Sequence, residues 1–140
     1  MNDMTPQLTE YDYRIAVLDK MVKMRDILEP AFKRSHEGHT FKDAFDCVAT
    51  GRCMFFWNDD SCAVLEWREY PRGKVIHVLW AGGTQDGLFS LYDTVEAFAK
   101  QLGAKAMTTL GRRGFEKRLP KEGWKIAGVW FLKEFKKETA

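Results

Sequence analysis

The stretch LWAGGTQDG, residues 79–87, decides how this chain is read. A strand-like run, KVIHVLW (74–80), arrives at two glycines, passes a short polar segment and gives way to an amphipathic pattern. Strand, glycine loop and helix is the arrangement that points backbone N–H groups at a phosphate or diphosphate. Downstream, Leu88, Leu91, Tyr92, Val95, Phe98 and Leu102 share one helical face, and Gly103 stops the helix. AKAMTTL (104–110) then reads as a strand, so strand, helix and strand predict a parallel crossover.

Upstream of the glycines lie two further strand signals. RCMFFWN (52–58) and SCAVLEWREY (61–70) are joined by the turn residues NDD, and the second reaches KVIHVLW through PRG. Two short turns predict an antiparallel meander, with Ala63, Leu65 and Trp67 on one face and Cys62, Val64 and Glu66 on the other. Before the meander, Val17, Met21, Met24, Leu28 and Ala31 give a helical period over residues 12–33, which Pro30 should break or bend near its end. RSHEGHT reads as a loop. Thr40 with Asp43 resembles a capping box for a helix over 41–49, closed by Gly51. At the far end, RRGFEKRLPKEG (112–123) reads as a short helix interrupted near Pro120, and WKIAGVWFLKEF (124–135) as a final apolar strand.

Composition bounds the protein class. A length of 140 residues fits one domain over 1–140 with a loose lead-in over 1–12, and 45% hydrophobic residues argue for a packed core. Twenty-two basic against twenty acidic residues leave a net charge of only +2, so the chain as a whole carries no strong signal for a polyanion. The polar N-terminus does not read as a secretory leader, and no apolar run is long enough for a membrane span. Cys47, Cys53 and Cys62 form no recognisable framework and read most simply as reduced thiols of a cytosolic protein.

The order α, α, β, β, β, α, β, α, β, with AGGTQDG and the later GFEKRLPKEGW, resembles the GNAT fold of the Gcn5-related N-acetyltransferases. The resemblance implies an α/β (α+β) architecture: a mixed sheet, an antiparallel meander followed by a β-α-β crossover, and helices on both faces. VIHVLWAGG, LGRRGFEKRL and EGW further resemble small GNAT-like proteins that tailed phages and prophages encode among head and packaging genes. That resemblance implies a virion structural or assembly component, partnered by other phage proteins, in the cytoplasm of an infected bacterium or within the particle. In an active relative, acetyl-CoA would enter between strands 74–80 and 104–110.

Three residue tests bear on activity. A diphosphate would rest on Gly82, Gly83, Gln85 and Gly87, but no Lys or Arg lies between Ala81 and Phe89, and Asp86 would repel it. No Tyr lies between Arg112 and Trp124 to protonate a departing thiolate. Glu66 or His77 could serve as the base, with Glu69 also on the middle strand, although cross-strand charge pairing of the glutamates and a core or surface place for His77 are the simpler accounts. These tests favour a non-catalytic GNAT-fold protein without a cofactor, with an acetyl-CoA-dependent N-acetyltransferase as the alternative.

Two other features carry candidate ligands or contacts. HEGH places His36 and His39 three apart, but the cysteines lack the paired spacing of a zinc site, so no metal is expected. Arg112, Arg113, Lys117, Arg118 and Lys121 make the densest basic cluster, within residues 112–125. They form a candidate contact surface, and a nucleic-acid-binding accessory protein is a third, weaker reading. The abundant sheet aromatics are core residues by default and docking anchors where they exceed the core.

Overall fold

Three helices precede a four-stranded mixed sheet in the computed structural model, which describes residues 10–35, 38–111 and 115–136. They are α1 (Glu10–Lys23), α2 (Arg25–Arg34) and α3 (Phe41–Ala49). The sheet comprises β1 (Cys53–Trp57), β2 (Ser61–Tyr70), β3 (Gly73–Gly83) and β4 (Ala104–Thr109), in the order β1-β2-β3-β4. Helix α4 (Gln85–Gln101) links β3 to β4. The first three strands are antiparallel and β4 is parallel to β3, as the meander and crossover require.

The sheet carries helices on both faces. Cys53, Phe55, Cys62, Val64 and Trp80 pack with Val17, Met21, Leu28, Phe32 and Phe41 of the first three helices. The opposite set, with Leu65, Ile76 and Val78, is equally buried, and α4 brings Leu88, Leu91 and Val95 to it. Phe56 meets Phe98 of α4 at a ring distance of 5.0 Å, whereas its neighbour Phe55 belongs to the other face. Strand alternation thus divides the aromatic run between two cores.

Local signals at α3 form as expected. Thr40 N–H donates to Asp43 Oδ2 at 2.8 Å, and the Thr40 hydroxyl donates to the same oxygen at 3.0 Å. At the other end Gly51 takes φ 81°, with Gly51 N–H bonded to Val48 O and Arg52 N–H to Cys47 O. This pair of bonds is a Schellman closure. It turns the chain back so that Cys47 and Cys53 meet as a disulfide, with Cα atoms 5.3 Å apart, in place of two of the three reduced thiols expected.

Several elements differ from expectation. The helix over 12–33 is two helices, broken at Met24 rather than at Pro30, which lies inside α2. Pro30 reaches back only to the Asp26 carbonyl, inside α2, whereas Met24 itself leaves the helical region, at φ −99° and ψ 12°. Strand β3 continues through Gly82 and Gly83, and α4 starts at Gln85, so no glycine loop separates them. The third difference is the C-terminal run over 124–135, which joins no ladder among the described residues.

The chain divides into two compact units, 1–110 and 111–140. The second unit contains a 3₁₀ helix, Leu119–Glu122, in place of the predicted interrupted helix. Its Ile126, Trp130 and Phe131 are exposed at 71%, 69% and 92%. Val129, Trp130, Phe131 and Leu132 are consecutive and apolar, so no strand register hides them all on one face.

Candidate functional site

The glycines of AGGTQDG are each explained by their neighbours within the protein. A Cβ at Gly82 would overlap the backbone carbonyl of Ile27 on α2, and one at Gly83 would overlap the backbone of Asp60 and Ser61. At Gly87 it would overlap the Asp60 carboxylate. These neighbours account for the glycines among Gly82, Gly83, Gln85 and Gly87, the residues on which a diphosphate would rest, without a ligand. Gly82 and Gly83 pair with Cys62 and Ser61 in the β2–β3 ladder, and Gln85 and Gly87 belong to the first turn of α4.

That first turn already has an anion beside it. Thr84 is the N-cap, its hydroxyl oxygen accepting from Gly87 N–H at 3.0 Å while the hydroxyl donates to Asp60 Oδ2 at 2.8 Å. Asn58 Nδ2 donates to Gly87 O at 2.9 Å, and Asn58 Oδ1 accepts from Ser61 N–H at 2.9 Å and from the Ser61 hydroxyl at 2.5 Å. The β1–β2 turn thus fastens onto the start of α4, and its Asp60 carboxylate stands where a ligand anion would. Asp86 adds a second acid to the turn. With no Lys or Arg over 81–89, these residues do not fit the diphosphate of CoA.

The candidate bases are brought together. Glu66 of β2 lies opposite His77 of β3, and His77 lies opposite Thr108 of β4, while Cys53 of β1 completes the row across the sheet. Residues directly opposite project from the same face, here that of α1–α3. His77 Nδ1 lies 2.7 Å from Thr108 Oγ1. Glu66 Oε1 accepts from Arg68 Nε at 2.6 Å, and this bond, the first cause, raises the Arg68 pKa above its ordinary value. Glu69 is 3.9 Å from Lys74 across the strands, as ordinary charge pairing predicts. Tyr92 is buried and edge-on to Phe89, a core residue as expected.

An irregularity begins one residue beyond this row. Leu65 pairs with Val78 but Val64 pairs with Trp80, so Leu79 is an extra residue on β3. The β3–β4 ladder ends at the Val78–Thr109 pair. Leu79–Gly83 continues along β2 with no ladder on its other side among the described residues. A bulge of this kind bends its strand and ends pairing locally. The sheet therefore opens between β3 and β4 beside the His77–Thr108 contact.

Other candidates stand apart from this opening. Burial pushes the Cys62 thiol up to about 12, which leaves it without thiolate character. His36 lies outside the described residues, and His39 stacks edge-on against Trp80 at 5.2 Å. Among the described residues no three His, Cys, Asp or Glu side chains cluster as a metal site. Arg112 and Arg113 lie outside the described residues. Lys117 and Lys121 are exposed in the second unit, where Arg118 is half-buried and 3.5 Å from Glu122. Among the described residues no helix is long and apolar enough to cross a membrane.

Comparison of structures agrees with this architecture. An aminoglycoside acetyltransferase from an uncultured soil metagenomic sample, solved with sisomicin, superposes with a TM-score of 0.61 at 13% identity, over 92% of this chain and 93% of its own. The fold is that of the GNAT acetyltransferases. A GNAT family acetyltransferase of Staphylococcus aureus gives 0.54 at 14% identity, over 91% and 95%. Glucosamine-6-phosphate N-acetyltransferase of Arabidopsis thaliana gives 0.53 at 11% identity, over 94% and 97%. No family model and no curated protein sequence matches the chain. At such identities the GNAT likeness is one of fold.

Proposed function

We propose that this GNAT-fold chain is an N-acyltransferase that uses an acyl thioester, such as acetyl-CoA, and holds its donor along the free edge of β3. The observation that supports this reading is the opening after Val78–Thr109, set beside the Glu66–His77–Thr108 row. Along a strand, alternate residues direct their N–H and C=O groups to opposite sides. Leu79–Gly83 therefore has backbone donors and acceptors directed away from β2, suited to the amide groups of a pantetheine arm, as in strand addition. The donor supplies the acyl carbon and leaves as a thiolate. His77 takes the proton from the incoming amine, Thr108 orients its ring, and Glu66 stabilises the imidazolium from across the strand pair. The Asp60 cap leaves the donor's diphosphate outside α4.

A second reading is favoured by the same cap. Asp60 at the start of α4, with no Tyr over 112–124, also suits a GNAT-fold protein that has given up catalysis. Such a chain would act through protein contacts, as a phage assembly component would, with the basic 112–125 segment facing a protein or nucleic-acid partner.

Thermal unfolding and amine-acylation rates with acetyl-CoA and acetyl-pantetheine separate the two. A donor at about one hundred times its dissociation constant stabilises the fold by roughly 2.7 kcal/mol. The proposal expects similar stabilisation and turnover with both donors, because the diphosphate contributes little. Turnover with acetyl-CoA alone would place the diphosphate back in the site. No shift and no turnover with either donor would leave the non-catalytic reading.

A further inference from the structure

Helix α3 and strand β1 are joined twice, once by the chain and once by sulfur. Cys47 lies in the last turn of α3, Cys53 is the first residue of β1, and the two are bonded with Cα atoms 5.3 Å apart. Each side is also held by contacts that owe nothing to the bond. The Thr40–Asp43 capping box and buried Phe41 and Ala44 hold α3, and the ladder from Cys53–Glu66 to Trp57–Cys62 holds β1. The Gly51 turn then sets the two sulfurs within reach, so one fold can carry the pair bonded or open. Access separates the two. Cys53 is 4% exposed, whereas Cys47 is half-buried and open to attack from solvent. Two guanidinium groups stand at the intervening turn: Arg52, next to Cys53 in the chain, and Arg14 of α1, whose Nη2 lies 3.3 Å from the place a Cβ on Gly51 would take. Nearby cations favour a thiolate, the form that attacks a disulfide. The third cysteine, Cys62, is fully buried and takes no part.

We propose that Cys47 and Cys53 form a reversible thiol–disulfide exchange site for a low-molecular-weight disulfide such as oxidised glutathione, with Cys47 attacking and Cys53 resolving. In the reduced protein the Cys47 thiolate attacks one sulfur of the external disulfide. A Cys47–glutathione bond forms, the external S–S bond breaks, and one glutathione thiolate leaves. Cys53, as thiolate, then attacks the Cys47 sulfur, the internal bond forms, and the second glutathione thiolate leaves. The protein pair gives up two electrons and two protons; the external disulfide accepts both electrons, and the departing thiolates take the protons. Excess reduced glutathione runs the same steps backwards. Cys53 also begins the row through Glu66 and His77, so exchange replaces a thiol opposite Glu66 with a sulfur bonded to α3. The site is independent of any acyltransferase role.

Mass spectrometry of the full chain tests this, after equilibration in glutathione buffers from fully reduced to fully oxidised, acid quenching, unfolding and alkylation. The expected result is a reversible passage from alkylation of all three cysteines to alkylation of Cys62 alone. In oxidised buffer Cys53→Ser should trap one glutathione on Cys47, whereas Cys47→Ser should take up none, with far-UV spectra matching the parent in both. A pair that stays as thiols in oxidised glutathione overturns the proposal. So does a pair that stays bonded in reduced glutathione, which would be a permanent bridge. Glutathione on Cys53 of folded Cys47→Ser overturns the assignment of attacking and resolving roles.

Discussion

The two flanks of β3 are built differently. Toward β2 the strand is paired from Gly73 to Gly83, and its last residues are pinned by Ile27 of α2 and by the Asn58–Asp60 turn. Toward β4 it is paired only from Lys74 to Val78. One flank is closed by packing, and the other ends, among the described residues, in an edge without a ladder. The glycines lie between, and the closed flank accounts for all of them. A glycine-rich strand-to-helix junction therefore identifies a tight crossing of backbones before it identifies a ligand, and chemistry is better sought at the flank where pairing stops.

The comparison breaks most readily at His77. His77→Ala should lower amine acylation by roughly a hundredfold to ten-thousandfold, the usual range for a general base, while the melting temperature stays near that of the parent. Activity retained in His77→Ala would remove the open flank from the chemistry. On the closed flank, Gly82→Ala should destabilise the fold by about 3 kcal/mol, because the obstructing atom is a backbone carbonyl that cannot rotate away. Urea denaturation measures this, and a neutral result would mean that α2 does not press on β3 as described.

Asn58→Ala should cost about 2 kcal/mol by the same assay, since it leaves buried Ser61 and the Gly87 carbonyl without their partner. Asp60→Asn should cost about 1 kcal/mol, the value of a weakened cap. It also sharpens the comparison, because removing the charge at α4 should improve acetyl-CoA relative to acetyl-pantetheine in competition binding. No change in that ratio would mean that Asp60 does not exclude the diphosphate.

The smallest effect lies away from β3 and serves as a control. The Thr40 backbone N–H, then its hydroxyl, hold the Asp43 carboxyl below its ordinary value of 3.8. A carboxylate depressed in the folded state contributes stability above its unfolded pKa and loses it as pH falls through the folded one. The melting-temperature difference between the parent and Asp43→Asn should therefore be present near neutral pH and shrink below pH 3.8, with no change in acylation at neutral pH.

Much of this was readable from sequence because it depends on neighbours in the chain. The capping box at Thr40, the three-strand meander and the α4 stripe need only periodicity and turn residues. The facing of Glu66 and His77 was also within reach, since Tyr70 pairs with Gly73 across the tight turn and counting back four residues on each strand sets them opposite. The bulge at Leu79 was not, because its neighbours Val78 and Trp80 are as strand-like as any others. The Asp60 contact with α4 joins residues 24 apart, and no local pattern announces it. The run over 124–135 has strand-forming residues but joins no ladder among the described residues, and strand propensity depends on neighbouring strands that local sequence does not specify.

Amide hydrogen exchange with and without saturating acetyl-pantetheine tests the free edge of β3 most directly. The account predicts new protection at alternate amides within Leu79–Gly83 and little change at Gln85–Leu88, where the Thr84–Asp60 cap already holds the first turn. Protection confined to the start of α4, or none at all, would contradict it.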